Sequence, residues 1–396
     1  MKILHTSDWH LGREFGTYSL AAEQAAFRDW LVALVAERRI ELVVIAGDIF
    51  DRAYASVEAI RLFGHTVRML REAGAQVAAI TGNHDGADRV ANYSGLLDHS
   101  GTYIRGGYEA LGEVITVDCS DGPLDLVLLP FLDPQAAPDT LGTAEAAPSS
   151  HDEAFQRRVR RTHESVLAAA IASALPQLKS PRSLAVAHAA VQGGMTSESE
   201  RQLSIGGAAL VNASLFQPFS YTALGHLHRP QQVGGRHDVR YSGTPLVYSF
   251  SETHAKSVTL LDLTPDGACQ CEEIEIGIGR AVATITGRMD DLLRAEGELE
   301  GFRDRFIRAI VTDPGVVLDA RHRLSQVYPW VVEILLRPTG EDGALVVPEG
   351  SALGRRGLEP LALAEQFWLE SSGSAPTSRQ RHFLQQALDA ANEGAR

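Results

Sequence analysis

Five short polar blocks between residues 8 and 228 each follow a stretch that predicts a buried β-strand. They combine carboxylate, amide and imidazole side chains, which are ligands for divalent metal ions. A parallel or mixed sheet gathers the carboxyl ends of its strands at one edge, so residues distant in sequence can meet there in one crevice. The pattern predicts a two-metal centre of the kind that hydrolyses phosphate esters. The blocks are Asp8-Trp9-His10, Gly47-Asp48-Ile49-Phe50-Asp51, Gly82-Asn83-His84-Asp85, His188 and Gly225-His226-Leu227-His228.

A bridging carboxylate is the first requirement of such a centre. Two cations about 3.5–4 Å apart repel each other unless an anion lies between them, and one carboxylate can bridge both. Asp48 follows the apolar run Val43-Val44-Ile45 and is the candidate for this bridge. Asp8 and His10 are two residues apart, which in an extended turn places both side chains on one side. We therefore expect them to hold one ion.

The remaining ligands come from later blocks. His226 and His228 have the same two-residue spacing, so one of them can serve each ion. Asn83 supplies a neutral oxygen and His188 a further imidazole. The predicted metal ligands are Asp8, His10, Asp48, Asn83, His188, His226 and His228.

The histidine that follows Asn83 need not bind a metal. Next to a phosphate, His84 can stabilise the charge at phosphorus or protonate the leaving oxygen, so it is the candidate catalytic residue. Asp85 either orients His84 through a hydrogen bond or caps the local turn, and the sequence favours neither interpretation.

Each of these residues also has a structural explanation when taken alone. A lone histidine such as His188 is more often structural than a ligand, and Asp48 and Asn83 both suit turns. The joint occurrence of five blocks after predicted strands favours the metal centre. Oxygen and imidazole ligands without thiolate suit Mn, Fe, Co or Zn. The histidines interpreted as surface or core residues include His65, His99, His151 and His237.

The composition is that of a globular protein. At 396 residues, the chain is long enough for a main domain with one or two smaller ones. No apolar run approaches the ~18 residues that cross a bilayer, and Asp8 precedes any possible signal-peptide core, so we expect a cytoplasmic protein. The cysteines Cys119, Cys269 and Cys271 indicate neither a disulfide framework nor a zinc ribbon, and packing explains them.

The formal net charge of −14 argues against a protein that binds nucleic acid by bulk electrostatics. Such affinity comes from many Lys and Arg contacts to phosphates. A nuclease is not excluded, because two divalent ions outweigh the charges of Asp8 and Asp48 and make the crevice locally positive. Partners would then supply the wider contact with nucleic acid.

The first half of the chain alternates predicted strands and helices, which indicates βαβ units. Later strands have little helix between them, so part of the sheet structure should be antiparallel. We predict an α/β, or mixed α+β, protein in which two facing sheets are flanked by helices. The predicted strands are 2–6, 42–46, 76–81, 114–117, 124–129, 184–187, 221–224 and 258–263, and the helices are 20–39, 56–73 and 153–175.

The pattern changes after Gly277-Ile278-Gly279, where a small α+β domain and a helical tail are predicted. Thr377 and Gln380 form a possible capping box for the last helix. The domain's strands are 281–287, 306–312 and 330–336 and its helices 289–298 and 320–327, and the tail helices are 360–370 and 379–391.

Two further segments are less informative. Asp133–Ser150, rich in Ala, Pro and Ser, predicts an exposed loop. The helix after it is locally basic, which fits a solvated face as well as contact with nucleic acid. Its basic residues are Arg157, Arg158, Arg160 and Arg161.

At the polar blocks the sequence resembles the calcineurin-like metallophosphoesterases, whose motif order DxH, GDxxD, GNHD, H and GHxH stands here from Asp8 to His228. It is more closely similar to the SbcD-type nuclease subunits of bacterial SbcCD DNA-repair complexes. Residues 1–12 and Tyr241-Ser242-Gly243-Thr244-Pro245 carry this narrower resemblance. The resemblance extends over nearly the whole chain, but offers no counterpart for residues 133–150.

The resemblance implies two ions, usually manganese, with His84 as the catalytic histidine. Asp51 stands where some relatives have a histidine near the substrate, so its role is left open. The implied ligand sets are Asp8, His10, Asp48 and His228 for one ion and Asp48, Asn83, His188 and His226 for the other.

The resemblance further implies a nuclease acting in DNA repair, recombination and replication at the nucleoid. It would degrade double-stranded ends from 3′ to 5′ and cleave hairpins or single strands. Its metallophosphoesterase sandwich would span residues 1–278, followed by a DNA-facing cap at 279–340. The segment 341–396 would dock on an SbcC-type ATPase, with two copies of the chain forming a homodimer within a heterotetramer.

Two other functions remain open from the sequence. A stand-alone phosphodiesterase for cyclic nucleotides or other small molecules would use the same ligands. It leaves without a role the cap and the apolar stripe of the last helix, formed by Phe383, Leu384, Ala387, Leu388 and Ala391. A non-catalytic scaffold that tethers DNA ends to the ATPase is disfavoured, because every ligand and His84 are present.

Overall fold

The apolar segments of the chain form the strands of two six-stranded sheets. The computed structural model describes residues 1–138, 141, 161–200, 210–314, 317–338, 361–362, 364–365, 368 and 375–394. The chain divides into two units, Met1–Val282 and Ala283–Arg396. The boundaries expected for three functional segments, at residues 278 and 340, stay predictions.

The elements of the first unit follow in chain order. They are β1 (Lys2–Thr6), β2 (Glu14–Phe15), β3 (Tyr18–Ser19), α1 (Ala21–Arg38), β4 (Leu42–Ala46), α2 (Val57–Glu72), β5 (Gln76–Ile80), α3 (Ala87–Ala91), α4 (Ser94–Leu97), β6 (Thr102–Arg105), β7 (Val114–Cys119), β8 (Gly122–Leu129), α5 (His163–Ala174), β9 (Ser183–His188), β10 (Ala190–Val191), β11 (Leu210–Val211), β12 (Tyr221–Gly225), β13 (Gln231–Val233), β14 (Arg236–Tyr241), β15 (Ser257–Leu263) and β16 (Cys269–Glu275).

Each large sheet has a parallel centre, with antiparallel strands at one edge of the first sheet and at both edges of the second. The first sheet has the order β16-β15-β1-β4-β5-β6, and its strands β1, β4, β5 and β6 run parallel. The second has the order β13-β14-β12-β9-β8-β7, with β14, β12, β9 and β8 parallel. The carboxyl ends of β1, β4, β5, β9 and β12 are therefore available to carry the polar blocks. This mixed α/β architecture confirms the predicted two-sheet sandwich flanked by helices.

The sheets bury apolar side chains on both faces. Val44 and Ala78 of the first sheet share a core with Leu126 and Val186 of the second. The other face of the first sheet packs on α1 and α2, and that of the second packs on α5. Because helices and a facing sheet cover the central strands, these strands have continuous apolar sequences such as Leu42–Ala46.

Local signals set the helix ends. Ser56 caps α2, since its hydroxyl accepts a hydrogen bond from the backbone N–H of Ala59 at 3.2 Å. The predicted helix 153–175 was wrong at its start, because α5 begins at His163 after the capping residue Thr162, whose backbone is extended. Arg161 donates to the carbonyls of Ala137 at 2.6 Å and Pro138 at 2.9 Å, which is a structural role. Arg157, Arg158 and Arg160 lie outside the described residues, as do most of residues 139–150.

The second unit forms a small α+β fold around a three-stranded sheet of order β17-β18-β19, in which β18 and β19 are parallel. The predicted helix 289–298 is shorter than expected, because it ends at Arg294 and Ala295 adopts a left-handed conformation. The elements are β17 (Val282–Gly287), α6 (Met289–Arg294), β18 (Phe306–Val311), α7 (Ala320–Ser325), β19 (Val331–Leu336) and α8 (Ser378–Gly394).

The tail contains the predicted capping box. The backbone N–H of Thr377 donates to Gln380 Oε1 at 2.9 Å, and that of Gln380 donates to Thr377 Oγ1 at 3.4 Å. Residues 361, 362, 364, 365 and 368 are helical, and the rest of the predicted helix 360–370 lies outside the described residues. No helix in the described ranges has the length and apolar character needed to cross a membrane.

Candidate metal centre

The five polar blocks meet at the carboxyl ends of β1, β4, β5, β9 and β12. In each of three groups of side chains, the potential ligand atoms lie within 4.8 Å of one another, and Asp8, His10 and Asp48 each belong to two of the groups. All seven predicted ligands and His84 are linked by contacts in this crevice. The three groups are Asp8, His10 and His228; His10, Asp48 and His84; and Asp8, Asp48 and His188.

The loops after β1 and β4 are joined by backbone hydrogen bonds. The N–H of Asp8 donates to the carbonyl of Gly47 at 3.0 Å, and that of His10 donates to the carbonyl of Asp48 at 2.9 Å. Gly47 has a φ of +91°, and a Cβ there would overlap the ring of His188. The residue type at this position is therefore fixed by the close approach of the second sheet.

The backbone conformation differs from the extended turn that the two-residue spacing suggested. Asp8, His10 and Asp48 have φ values of 53°, 44° and 47°, and His226 has 108°. A non-glycine residue at positive φ costs about 1–3 kcal/mol. Side chains two residues apart therefore converge here through strained left-handed turns, and the extended-turn interpretation was wrong.

Asp48 lies at the centre of the arrangement. Its Oδ2 is 3.7 Å from His10 Nε2 and 3.6 Å from His188 Nε2. Its other oxygen, Oδ1, accepts a hydrogen bond from the backbone N–H of His84 at 2.9 Å. One carboxylate oxygen thus faces imidazoles from both sheets, as a bridging ligand would.

One ligand cluster surrounds Asn83. Its Oδ1 lies 3.0 Å from His188 Nε2 and 3.0 Å from His226 Nδ1. His188 Nδ1 donates to the carbonyl of Ala46 at 2.9 Å, so in the neutral ring Nε2 carries a lone pair. That lone pair and the amide oxygen then face each other without a proton between them.

The other cluster contains Asp8, His10 and His228. His10 Nε2 and His228 Nε2 are 3.3 Å apart. The backbone N–H of His226 donates to Asp8 Oδ1 at 3.0 Å, which connects the first-sheet carboxylate to the loop after β12. Asp8, His10 and His228 are all buried.

His84 stands beside both clusters and is half-buried. Its ring meets that of His10 edge to face, with 4.7 Å between centroids. His84 Nδ1 donates to the backbone carbonyl of Asp51 at 2.9 Å. Asp51 thus holds His84 through its main chain, while its carboxylate accepts from Arg13 at 3.1 Å.

Asp85 caps the loops and makes no hydrogen bond to His84 among the described contacts. Its carboxylate accepts from the backbone N–H groups of Ile49 at 3.0 Å, Phe50 at 2.8 Å and Gly82 at 2.9 Å. Burial and the nearby charge of Asp48 raise the pKa of Asp85 to about 7. Of the two interpretations open from the sequence, the structure supports turn capping.

Burial dominates the electrostatics of the crevice. It lowers the pKa of His10 well below its ordinary value, and the neighbouring His228 adds to this effect. The pKa values of His188 and His226 are likewise lowered by burial. Burial and the adjacent Asp48 raise the pKa of Asp8 well above its usual range. Burial therefore favours the neutral form of His10, His188 and His226, and the nearby Asp48 disfavours the charged form of Asp8.

The donor set fits a pair of divalent cations. Acceptor atoms converge from two sides on Asp48, and a cation would relieve the contact between Asn83 Oδ1 and the His188 lone pair. Among the described residues, His10 Nδ1 and Asn83 Nδ2 are buried polar atoms without a hydrogen-bond partner. Because Asn83 Nδ2 can only donate hydrogen bonds, Asn83 Oδ1 is the atom of this side chain that a cation would use.

Several contacts around the ligands were not predicted from the sequence. His228 Nδ1 lies 2.6 Å from Ser199 Oγ, and the backbone N–H of His228 donates to Glu200 Oε1 at 2.8 Å. Glu252 is buried beside them. A single Ser or Glu carries no spacing signal, so only the fold could bring these residues to the site. Of the histidines predicted to be structural, His65, His99 and His237 are exposed, and His151 lies outside the described residues.

Comparison with known families matches residues 1–230 to the model of the calcineurin-like phosphoesterases. Among solved structures, the chain is similar to TT1561 of Thermus thermophilus, with 14% identity over 69% of this chain and 98% of that one and a TM-score of 0.36. A dimetal phosphatase from Danio rerio has 16% identity over 69% of this chain and 96% of its own, with a TM-score of 0.37. The purple acid phosphatase PPD1 from yellow lupin (Lupinus luteus) has 12% identity over 71% of this chain and 52% of its own, with a TM-score of 0.38.

Proposed function

The chain belongs to the calcineurin-like phosphoesterase family, and from that premise we propose that it is a metal-dependent DNA nuclease, the SbcD-type subunit of an SbcCD-like complex. The main support for metal-dependent hydrolysis is the position of Asp48, whose Oδ2 lies 3.7 Å from His10 Nε2 and 3.6 Å from His188 Nε2. This placement supports two cations that share one carboxylate.

Two segments support DNA as the substrate, because they carry the resemblance to SbcD-type nucleases. Residues 1–12 include the loop that holds Asp8 and His10. Residues 241–245 contact this loop, since Ser242 Oγ lies 2.9 Å from Ser7 Oγ. They also contact the loop after β12, since the N–H of Thr244 donates to the carbonyl of His228 at 3.1 Å. The residues behind the narrower resemblance therefore have a physical role at the site.

The ligands divide between the ions as the clusters do. Asp8, His10 and His228 would hold one ion, Asn83, His188 and His226 the other, and Asp48 both. When bound, such ions offset the charge of a phosphodiester and lower the pKa of a water molecule. Manganese is our first choice of metal, with iron, cobalt and zinc as alternatives.

The chain itself supplies orientation and a proton. Because His84 Nδ1 donates to the carbonyl of Asp51, Nε2 is the nitrogen that can reach substrate. In its protonated form the ring offers Nε2–H to the leaving sugar oxygen, and the proton passes to that oxygen as its bond to phosphorus breaks. The backbone N–H of His84 donates a hydrogen bond to Asp48 Oδ1. The position of His84, the proposed general acid, is thereby coupled to that of the proposed bridging carboxylate.

The proposed biological setting extends the resemblance. The nuclease would act on double-stranded ends and on hairpins or single strands, with the second unit contacting DNA. The helical tail would dock on an SbcC-type ATPase, and two copies of the chain would work as a homodimer in the complex at the nucleoid. An ATPase partner that shares the binding of DNA accounts for the net charge of −14.

The test is a Mn²⁺-dependent assay on labelled hairpin and blunt duplex DNA, with and without the ATPase and ATP. His84→Ala should lower kcat about 10²–10⁴-fold, the usual contribution of a positioned general acid, with DNA binding unchanged. The exposed His99 gives a matched control, since His99→Ala should cleave like the parent chain.

Other outcomes identify the alternatives. Turnover of a cyclic nucleotide but not of DNA would favour the stand-alone phosphodiesterase. DNA binding without Mn²⁺-dependent cleavage by the parent chain would favour the tethering scaffold.

A further inference from the structure

A carboxylate, a hydroxyl and an imidazole form a chain of hydrogen bonds behind His228. The ring nitrogen Nδ1 of His228 lies 2.6 Å from Ser199 Oγ, and Ser199 Oγ donates to the carboxylate of Glu252. His228 Nδ1 is also 3.5 Å from Glu252 Oε1. The three residues come from distant parts of the sequence and meet on the side of the ring that faces away from His10.

The donors and acceptors in this chain fix the proton on the imidazole. An ionised carboxylate only accepts hydrogen bonds, so the Ser199 proton points to Glu252. The Ser199 oxygen is then free to accept, and the hydrogen of the Ser199–His228 contact must come from Nδ1. His228 Nε2 is left with its lone pair, and this is the nitrogen that lies 3.3 Å from His10 Nε2 in the ligand cluster.

Glu252 is held by its surroundings independently of His228. Its side chain is buried and accepts from Thr244 Oγ1 at 3.2 Å and from the backbone N–H of Tyr248 at 3.3 Å. The ammonium group of Lys256, also buried, donates to Glu252 and to Thr244 Oγ1. The carboxylate is therefore a fixed anchor, and Ser199 transmits its position to the imidazole.

We propose that Glu252, acting through Ser199, is a positioning residue that sets the tautomer and orientation of His228 for one of the two cations. The inference rests on the metal centre proposed above. The inference also goes beyond that centre. Ser199 and Glu252 would not bind an ion themselves, but they would affect the binding of one ion and not of the other. Hydrogen-bonded partners of this kind typically change metal affinity about 10–100-fold.

The His188 side of the centre explains why the effect should be confined to one ion. His188 Nδ1 donates to the backbone carbonyl of Ala46 at 2.9 Å, so no side-chain substitution removes its partner. His228 depends on side chains for the same function. The two ligand clusters should therefore respond differently to loss of Ser199 or Glu252.

The experiment measures binding of Mn²⁺ to the metal-free full chain by calorimetry, together with nitrogen chemical shifts of the histidines by NMR. Two variants are used because either alone can be misleading: Ser199→Ala leaves the Glu252–Lys256 pair in place, and Glu252→Gln keeps the side-chain shape. Ser199→Thr retains the hydroxyl and should restore binding.

Matched controls remove similar groups far from the ligands. Asp125→Asn changes a fully buried carboxylate that accepts from the backbone of Ser180 at 2.6 Å. Ser220→Ala removes a half-buried hydroxyl that accepts from the N–H of Ser183 at 3.2 Å. Both controls should bind two Mn²⁺ ions like the parent chain.

The proposal predicts that Ser199→Ala or Glu252→Gln weakens one Mn²⁺ site about 10–100-fold and leaves the other within about twofold. The His228 shifts of the parent chain should show a protonated Nδ1 and a bare Nε2, and this pattern should be lost in the weakened variant. Two unchanged sites in both variants would overturn it, and so would equal weakening of both sites. A parent chain that binds no Mn²⁺ would instead contradict the proposed function.

Discussion

At the amino ends of the parallel strands, the buried guanidinium of Arg182 joins the two sheets. It donates to the carboxylate of Asp121 at 2.5 Å, to the carbonyl of Pro123 at 3.1 Å, and to that of Leu263 in the first sheet at 3.0 Å. At the carboxyl ends, two carboxylates lie among imidazoles, and Asp8, His10 and Asp48 have left-handed backbones. One end of the sandwich pairs its charges, and the other brings like charges together.

The difference indicates which end stabilises the fold and which end performs chemistry. Opposite charges and satisfied carbonyls lower the energy of the folded chain. Strained turns and adjacent acids raise it, and they persist because the surrounding sheets hold them in place. Substitutions at the two ends should therefore separate stability from activity.

The largest effect is expected for Asp48→Asn. Loss of the shared negative charge should remove several kcal/mol of electrostatic stabilisation of the reaction and lower cleavage at least about 10³-fold. Unfolding of the metal-free variant should need as much denaturant as the parent chain or more, because Asp8 loses a repulsive neighbour. Nuclease assays and urea titrations measure the two effects, and a strongly destabilised variant would break the contrast between the ends.

Arg182→Met should have the opposite profile. Its removal leaves backbone carbonyls and Asp121 without their donor, which we expect to lower the free energy of unfolding by about 3 kcal/mol. The Mn²⁺ affinity of the folded fraction should be unchanged. Urea unfolding with and without Mn²⁺ tests this, and a loss below about 1 kcal/mol would show that the amino ends do not stabilise the sandwich as described.

A smaller and pH-dependent effect is expected for Asp121→Asn. The hydrogen bond from Arg182 holds the pKa of Asp121 well below its ordinary value. A carboxyl group whose pKa is lowered by folding stabilises the folded state above its unfolded pKa of about 4 and loses that contribution as the pH falls further. Since Asp121 is partly exposed, the difference from the parent chain should be about 1 kcal/mol at neutral pH. A difference that stays constant on acidification would contradict the ion-pair assignment.

The sequence allowed the central strands to be predicted within a residue or two, because buried parallel strands are continuous apolar runs. β16 was missed, since Cys269–Glu275 is an exposed edge strand without such a run. β6 and β14 were likewise not predicted. The shortened α6 depends on the left-handed Ala295, a conformation that sequence propensity does not specify.

For the candidate metal centre, the residues themselves were predicted from the sequence, but their backbone conformation and the side chains around them were not. The seven predicted ligands and His84 came from motif order and from the rule that strand ends meet at one edge, and the structure brings these side chains together. The left-handed turns at Asp8 and His10 were not predicted, because they depend on hydrogen bonds to a loop some forty residues away. Ser199 and Glu252 were missed for the same reason, since their contacts with His228 exist only in the folded chain.

Two divalent cations that share Asp48 can be located most directly by anomalous diffraction from crystals soaked in Mn²⁺. We predict two peaks on opposite sides of the Asp48 carboxylate, one within coordinating distance of Asp8, His10 and His228 and the other beside His188. The second peak should also lie next to Asn83. A single peak, or peaks that Asp48 does not contact, would contradict the shared binding of two ions by Asp48.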